Sequence, residues 1–200
     1  MGEIAEVIFP RLLIGRSETL SVMHINIRDT AAEDLDAILR IGNDALVAPH
    51  QYRQSLAGTR DKWCDFLAGK RDTKFVTFRC ATILDGDTII GNVSQWHINS
   101  NDRPIVQCGW NLTPAYWGRG VMCLALTELF NRFFANDGVA HIYADCFRSN
   151  HRCIRVLEKL GFTPNGIPPH HRVIIAWSMR CLHWIRRFRL DSEMWQPSAP

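Results

Sequence analysis

Residues 114–122 of this 200-residue chain read PAYWGRGVM and lead without a break into the amphipathic segment 123–134. Gly118 and Gly120 therefore stand where an apolar strand gives way to a helix. Glycine permits unusual dihedrals and close approach of a ligand, the N–H groups of a first helical turn lack intrahelical partners, and the helix dipole adds about half a positive charge there. The stretch predicts an anion site that fits a pyrophosphate, although a G-x-G pair is also typical of a plain tight turn.

A second block follows further along the chain. Residues 150–162 read NHRCIRVLEKLGF and come after the apolar-alternating run His141–Phe147. The alternation predicts a strand. Ser149 or Asn150 is expected to cap a helix that runs to residue 160, with Gly161 as its stop. Together with the first block, this gives a strand, helix, strand, helix order, as in a βαβ-like half.

The order and spacing of these blocks resemble the GNAT superfamily of acyl-coenzyme A dependent N-acyltransferases. The resemblance is closest to its Rim-like branch, the ribosomal-protein N-terminal acetyltransferases, and it extends over residues 24–182. The family's usual pattern has Gln or Arg three residues before the first glycine, whereas this chain has Ala115. The residues that carry the resemblance are Ile27, Arg28, Asp29, Asp34, Leu35, Gly91, residues 108–112, Pro114, residues 116–120, Asn150 and residues 157–162.

The resemblance implies an α/β fold of the α+β type, the GNAT fold, in which helices flank a mixed, mostly antiparallel sheet. It also implies transfer of an acyl group, most simply acetyl, from acetyl-coenzyme A to a primary amine. In that fold two neighbouring strands splay apart ahead of the glycine loop, and the pantetheine arm of the cofactor lies between them. Here those strands are Ile105–Leu112 and His141–Phe147.

The same resemblance implies the residues that hold the co-substrate. Backbone N–H groups of the glycine loop would bind the pyrophosphate, and the Arg119 side chain would reach a phosphate oxygen. A backbone N–H near Asn111 or Leu112 would stabilise the oxyanion. Asn150 would contact the cofactor arm while it also caps its helix. The loop residues in this set are Gly118, Arg119, Gly120, Val121 and Met122.

Catalysis of acyl transfer also needs a proton donor and a proton acceptor. Cys153 stands where relatives often place a serine or tyrosine that protonates the leaving thiolate, and its place in a first helical turn predicts a lowered pKa. A packing role for this thiol is the alternative. His97 is the first candidate for the general base, with His50 and Glu128 behind it. A water relay is the alternative, because an N-terminal amine has a pKa of about 7.7–8.0 and is partly neutral at physiological pH.

Composition limits the function classes. The formal charge of +3 is too balanced to predict nucleic-acid binding. The seven cysteines form no C-x-x-C pair, which favours a reducing cytoplasm, and no apolar run approaches the roughly 20 residues that a spanning helix needs. His170 and His171 lack further ligands at metal-binding spacing, so we expect no metal. We expect a monomer or homodimer without a membrane partner.

The remaining pattern divides the chain into an arm over residues 1–20, an acetyltransferase domain over 21–182 and a basic tail over 183–200. Within the domain, residues 30–33 read TAAE and match a capping box at the start of a helix. A further helix is expected near residues 61–67 and a final strand over 173–179. Residues 180–190 are expected to form a helix or arm with solvated arginines, or a membrane-surface helix. The other predicted strands cover residues 23–28, 75–84 and 88–98, the last two joined by a hairpin at the DGD sequence of residues 85–87.

Three acceptor hypotheses follow from the resemblance. The favoured acceptor is a protein or peptide N-terminus, as in the Rim-like branch. A small amine, such as a polyamine or an aminoglycoside, is the enzymatic alternative, and an acidic acceptor pocket would favour it. The third hypothesis is a coenzyme A binding protein that has lost catalysis and acts as a sensor.

Overall fold

The computed structural model describes residues 23–51, 60–99, 103–166 and 185–196. Within these ranges seven strands form one sheet in the order β1-β2-β3-β4-β5-β7-β6, and every neighbouring pair except β4–β5 is antiparallel. This architecture confirms the predicted fold class. The strands are β1 Ile25–Asp29, β2 Val76–Asp85, β3 Thr88–Ile98, β4 Ile105–Leu112, β5 His141–Phe147, β6 Thr163–Pro164 and β7 Ile185–Asp191, and the helices are α1 Leu35–Gly42, α2 Arg60–Leu67, α3 Val121–Ala135 and α4 His151–Lys159.

Helices cover both faces of the sheet. On the α3/α4 face, the larger core joins residues such as Val106 of β4 to Leu126 of α3. On the α1/α2 face, Leu35 and Trp63 pack with Phe78 of β2. Because successive side chains of a strand point to opposite faces, β2 contributes to both cores, with Ala81 in the larger one and Phe78 in the smaller one, and the two faces of β4 meet different environments.

The start of α1 differs from the predicted capping box. The Thr30 hydroxyl lies 2.8 Å from the Thr82 hydroxyl, and the Asp34 carboxylate, rather than Glu33, accepts a hydrogen bond of 2.9 Å from the Ala31 N–H. The TAAE prediction is therefore wrong in its partners. Asp34 is buried, and hydrogen bonds from charged and polar donors stabilise its carboxylate. Asp34 is therefore favoured over the exposed Glu33 as the partner of the Ala31 N–H.

The C-terminal segment also differs from its prediction. Residues 185–191 form β7, which pairs antiparallel with β5 from Ile185 opposite Phe147 to Asp191 opposite His141, so a helix, an arm or a membrane-surface helix is wrong for these residues. Buried Phe188 and Leu190 alternate with arginines, a strand pattern that the basic composition obscures.

The helices of the described residues are all too short or too polar to span a bilayer. The predicted arm over 1–20 and the strand over 173–179 lie outside the described residues, and the domain boundaries stay a prediction.

The central strands match their predicted bounds, and Gly91 explains how closely two of them approach. β3, β4 and β5 begin and end at the predicted residues. Gly91 of β3 lies opposite Leu112 of β4, and a Cβ at this glycine would lie 2.5 Å from the Asn111 carbonyl oxygen. Real Cβ atoms do not approach backbone this closely. Only glycine therefore lets β4 stay against β3 at its C-terminal end.

Substitution Gly91→Ala is expected to lower the free energy of unfolding by about 1–3 kcal/mol, because backbone must move to admit the methyl group. Gly109→Ala on β4 is the matched control, since its Cβ would meet only Trp96 Cζ3 at 3.8 Å. We expect this control to be neutral, or stabilising by up to about 1 kcal/mol. Urea denaturation of both variants measures the difference, and equal stability of Gly91→Ala and wild type would contradict the argument.

Candidate active site

The parallel pair β4–β5 separates partway along its length. The two strands pair only over residues 105–108 and 141–144. Beyond this point, the strand pairing does not continue at residues 109–112 and 145–146, while β4 remains paired with β3 and β5 with β7. Backbone N–H and C=O groups are obligatory hydrogen-bonding groups, so these two facing edges present an unfilled ladder. An extended ligand with amide groups fits the gap as a surrogate strand, as the resemblance implied.

The glycine turn lies directly after the free end of β4. Gly118 and Gly120 have φ of +74° and +81°, and a Cβ on either would meet nothing within 4 Å. The first intrahelical hydrogen bond of α3 runs from the Leu124 N–H to the Gly120 carbonyl at 3.1 Å. The N–H groups of residues 121–123 therefore precede the hydrogen-bonded part of the helix. These N–H donors beside the open glycine turn fit a pyrophosphate.

Two aromatic side chains hold arginines beside the glycine turn. The Trp117 indole N–H donates a 2.8 Å hydrogen bond to the Leu112 carbonyl, which fixes the turn to the end of β4. The Arg152 guanidinium of α4 lies 4.8 Å from the Trp117 ring centre, and that of Arg119 lies 5.8 Å from the Tyr116 ring centre. The sequence reasoning identified Arg119 but missed Arg152, since no local signal places α4 against the turn.

The N-terminus of α4 borders the end of β5. Asn150 caps the helix as predicted, because its Oδ1 accepts a 3.1 Å hydrogen bond from the Cys153 N–H. A side-chain hydrogen bond with Cys146 of β5, together with burial, raises the pKa of the Cys153 thiol well above its usual value. The predicted lowering of this pKa is therefore wrong. The neighbouring thiol and the apolar surroundings outweigh the helix terminus, and Cys153 stays protonated at neutral pH.

On the α1/α2 face, a buried ion pair stands at the base of the gap. Asp145 and Arg187 form a bidentate pair, with Nε–Oδ1 at 2.7 Å and Nη2–Oδ2 at 2.8 Å, and the Gln107 amide donates to Asp145 Oδ2 at 3.0 Å. The Arg187 guanidinium also lies 5.2 Å from the Tyr143 ring centre. Sequence reasoning missed this cluster, because it joins β4, β5 and the unrecognised strand β7. The pair ties β5 to β7 where β5 leaves β4.

His97 lies apart from the gap. It pairs with Val106, three residues before Gly109, which places it about 10 Å along the strand from the nearest end of the gap. On the α3/α4 face, its ring lies 5.4 Å from the Phe133 ring, its Nε2 lies 3.1 Å from Gln95 Oε1, and burial lowers its pKa. The other base candidates are His50, in the 3-10 turn Ala48–His50, and Glu128, in the middle of α3.

The structure thus places most of the predicted binding residues around one end of the β4–β5 pair. In the part of the chain that the structure describes, no group of three or more His, Cys, Asp or Glu side chains is arranged to hold a metal ion. The residues brought together at the gap and turn are Asn111, Leu112, Gly118, Arg119, Gly120, Val121, Met122, Asn150 and Cys153.

Gly120→Ala is expected to weaken acetyl-coenzyme A binding at least about 10-fold, because the added methyl group would take up open space beside the N–H groups that we expect to bind the pyrophosphate. Gly138→Ala is the matched control, since Gly138 also has a positive φ of +62° and open surroundings, but follows the other end of α3. Both variants should lose similar stability, about 1–2 kcal/mol. Thermal unfolding with and without acetyl-coenzyme A distinguishes the two variants. Bound ligand at 100 times its Kd should add about 2.7 kcal/mol to the free energy of unfolding. Equal ligand-induced shifts in both variants would place the phosphate site elsewhere.

Known structures share this architecture. A ribosomal-protein-S5-alanine acetyltransferase from Vibrio fischeri superposes with a TM-score of 0.67 at 21% identity, covering 90% of this chain and 100% of that chain. A spermidine N-acetyltransferase chimera from Vibrio cholerae and hSSAT gives 0.66 at 15% identity, covering 84% and 96%. A putative acetyltransferase from Salmonella typhimurium, solved with its cofactor acetyl-CoA, gives 0.63 at 20% identity, covering 88% and 99%.

The sequence itself matches a family model over most of its length. The model describes an acetyltransferase (GNAT) domain, and the match covers residues 24–163. These residues include the divergent strands, the glycine turn and α4. The chain therefore belongs to the GNAT family of acetyltransferases and is an N-acetyltransferase.

Proposed function

We propose that this N-acetyltransferase transfers the acetyl group of acetyl-coenzyme A to the α-amine of a protein or peptide N-terminus. The observation behind this choice is that two carboxylates of the α1/α2 face are already paired with arginines. Asp145 is paired with Arg187 at the gap, and Asp34 is paired with Arg28 further along the same face at 2.6 and 2.8 Å. A polyamine requires carboxylates that are not already neutralised, whereas a single α-amine does not. The similarity to the alanine acetyltransferase supports the same acceptor class, and the similarity to the spermidine enzyme keeps the small amine as the alternative.

The co-substrate would be held mainly by the backbone. In this proposal the N–H groups of residues 121–123 and the side chains of Arg119 and Arg152 bind the phosphates. The free edges of β4 and β5 pair with the amide-containing arm. Acetyl-coenzyme A supplies an acyl group already activated as a thioester, so the protein's part is positioning and charge stabilisation. A backbone N–H near Asn111 or Leu112 would stabilise the negative charge that develops on the carbonyl oxygen.

The proton transfers make modest demands on side chains. Because an α-amine has a pKa of about 7.7–8.0, a fraction is neutral at physiological pH, and water can accept the proton that the amine loses. His97 is too far from the gap to be needed for this step. Cys153, which remains a thiol, would donate to the sulfur of the leaving group rather than act as a nucleophile. Its raised pKa argues against an acyl-cysteine.

Thiol release from acetyl-coenzyme A across an amine panel tests the acceptor. The panel contains an alanine-initiated peptide, the same peptide with a blocked N-terminus, spermidine and an aminoglycoside. We expect kcat/KM for the free peptide to exceed that for spermidine by about 10-fold or more, since Asp34 and Asp145 are already paired with arginines and gain little from a second cation, and the blocked peptide to be inert. A preference for spermidine would establish the small-amine alternative, and cofactor binding without release would establish the sensor.

Cys153→Ala is expected to lower kcat about 10- to 100-fold by removing the proton donor, with little change in the Kd of acetyl-coenzyme A. Cys153→Ser should recover activity, because a hydroxyl is a better hydrogen-bond donor than a thiol. His97→Gln provides the comparison, and its kcat should stay within about twofold of wild type. Steady-state kinetics of the three variants measures this, and the reverse ranking would assign the proton chemistry to His97.

A further inference from the structure

A row of buried polar side chains crosses the α1/α2 face and ends at the gap. Thr82, Asn92 and Asn111 lie side by side on β2, β3 and β4, since Thr82 is opposite Asn92 and Asn92 is opposite Asn111. Their exposed fractions are 0%, 0% and 7%. Burial of an amide is unfavourable unless its groups are hydrogen-bonded. Each member of the row is therefore constrained by the partners that its neighbours offer.

The surroundings of Asn92 orient its amide. Asn92 Nδ2 lies 3.7 Å from Cys80 Sγ and 3.5 Å from Ser94 Oγ. Burial raises the pKa of Cys80 to about 11, so its thiol keeps its proton and directs it at the Ala81 carbonyl, 3.9 Å away. The sulfur lone pairs are left to accept from Asn92. The amide nitrogen of Asn92 accordingly faces β2, and its oxygen faces β4.

This orientation sets that of Asn111. Asn111 Nδ2 donates to Asn92 Oδ1 at 3.4 Å. The amide nitrogen of Asn111 is thereby engaged, and its Oδ1 has no hydrogen-bond partner among the described residues. Asn111 belongs to the half of β4 that borders the gap, and the preceding residue on the same face is Gly109, which has no side chain to fill the space. A hydrogen-bond acceptor thus stands at the gap on the face opposite α3 and α4.

We infer that Asn111 binds the acceptor amine, with its side-chain oxygen accepting a hydrogen bond from the amine N–H as the nitrogen approaches the thioester in the gap. Asn92 is a positioning residue that acts through Asn111 by holding its amide nitrogen. This inference rests on the proposed acetyl transfer to a primary amine, and holds for a peptide N-terminus or a small amine. An amide oxygen suits an amine that must remain neutral. The oxygen accepts a hydrogen bond from the amine N–H, but it adds no negative charge that would favour the ammonium form.

Kinetics with two acceptor probes, the alanine-initiated peptide and spermidine, test the inference without depending on which amine the wild type prefers. Asn111→Ala should lower kcat/KM for the acetylated amine about 10- to 100-fold, while the Kd of acetyl-coenzyme A stays within about twofold. Asn92→Ala should lower kcat/KM about 5- to 10-fold, because the amide nitrogen of Asn111 then loses the acceptor that holds it. The double variant should match Asn111→Ala alone, since Asn92 acts only through its neighbour.

Asn111→Asp provides a readout that a merely structural role would not move. A carboxylate beside the bound amine stabilises its ammonium form, so the apparent pKa in the kcat profile should rise by about one unit. The acetyl-coenzyme A thermal shift confirms that each variant is folded. Unchanged acceptor kinetics in Asn111→Ala, an equal loss of acetyl-coenzyme A binding, or additive effects in the double variant would overturn the inference. A wild-type protein that binds acetyl-coenzyme A but acetylates neither probe would instead overturn the proposed function.

Discussion

The candidate active site depends on β4 and β5 ceasing to pair after residues 108 and 144 while each keeps its outer neighbour. Separated strand ends are stable only if other interactions hold them. Gly91 provides one of these, because it lets β4 lie against β3 to its last residue. The bidentate pair of Asp145 and Arg187 provides the other by joining β5 to β7. The gap is thus fixed by the fold before any ligand arrives. Binding of acetyl-coenzyme A therefore has to offset little free energy for ordering the strands.

The charges around the gap differ between its two sides. On the side of the glycine turn, N–H groups, a helix N-terminus and two arginines favour phosphate. On the proposed acceptor side, Asp34 and Asp145 are paired with arginines, and a neutral amide, Asn111, stands at the opening. The division suits a reaction in which an anionic donor and a neutral amine meet at one carbonyl carbon, and family membership and site electrostatics agree on this point.

Much of this arrangement was accessible from the sequence, for local reasons. Strand alternation gave the bounds of β4 and β5, and the glycines at 118 and 120 identified the turn before α3. Interactions between distant segments were not accessible. The arginines of β7 obscured a strand because their partner, Asp145, is remote in sequence, and the pKa of Cys153 was misjudged because Cys146 approaches it only in the folded chain. The Asn92–Asn111 contact likewise needs the strand register, which composition does not supply.

Amide hydrogen exchange tests most directly whether the separated strand ends receive the co-substrate. With saturating acetyl-coenzyme A, we expect slower exchange of the gap-facing amides in residues 109–112 and 145–146 and of the amides of residues 121–123. The amides that join β2 to β3 should be unchanged. Protection confined to other parts of the chain, or no protection at the gap under conditions where binding is saturated, would contradict the claim that the gap between β4 and β5 is the binding site.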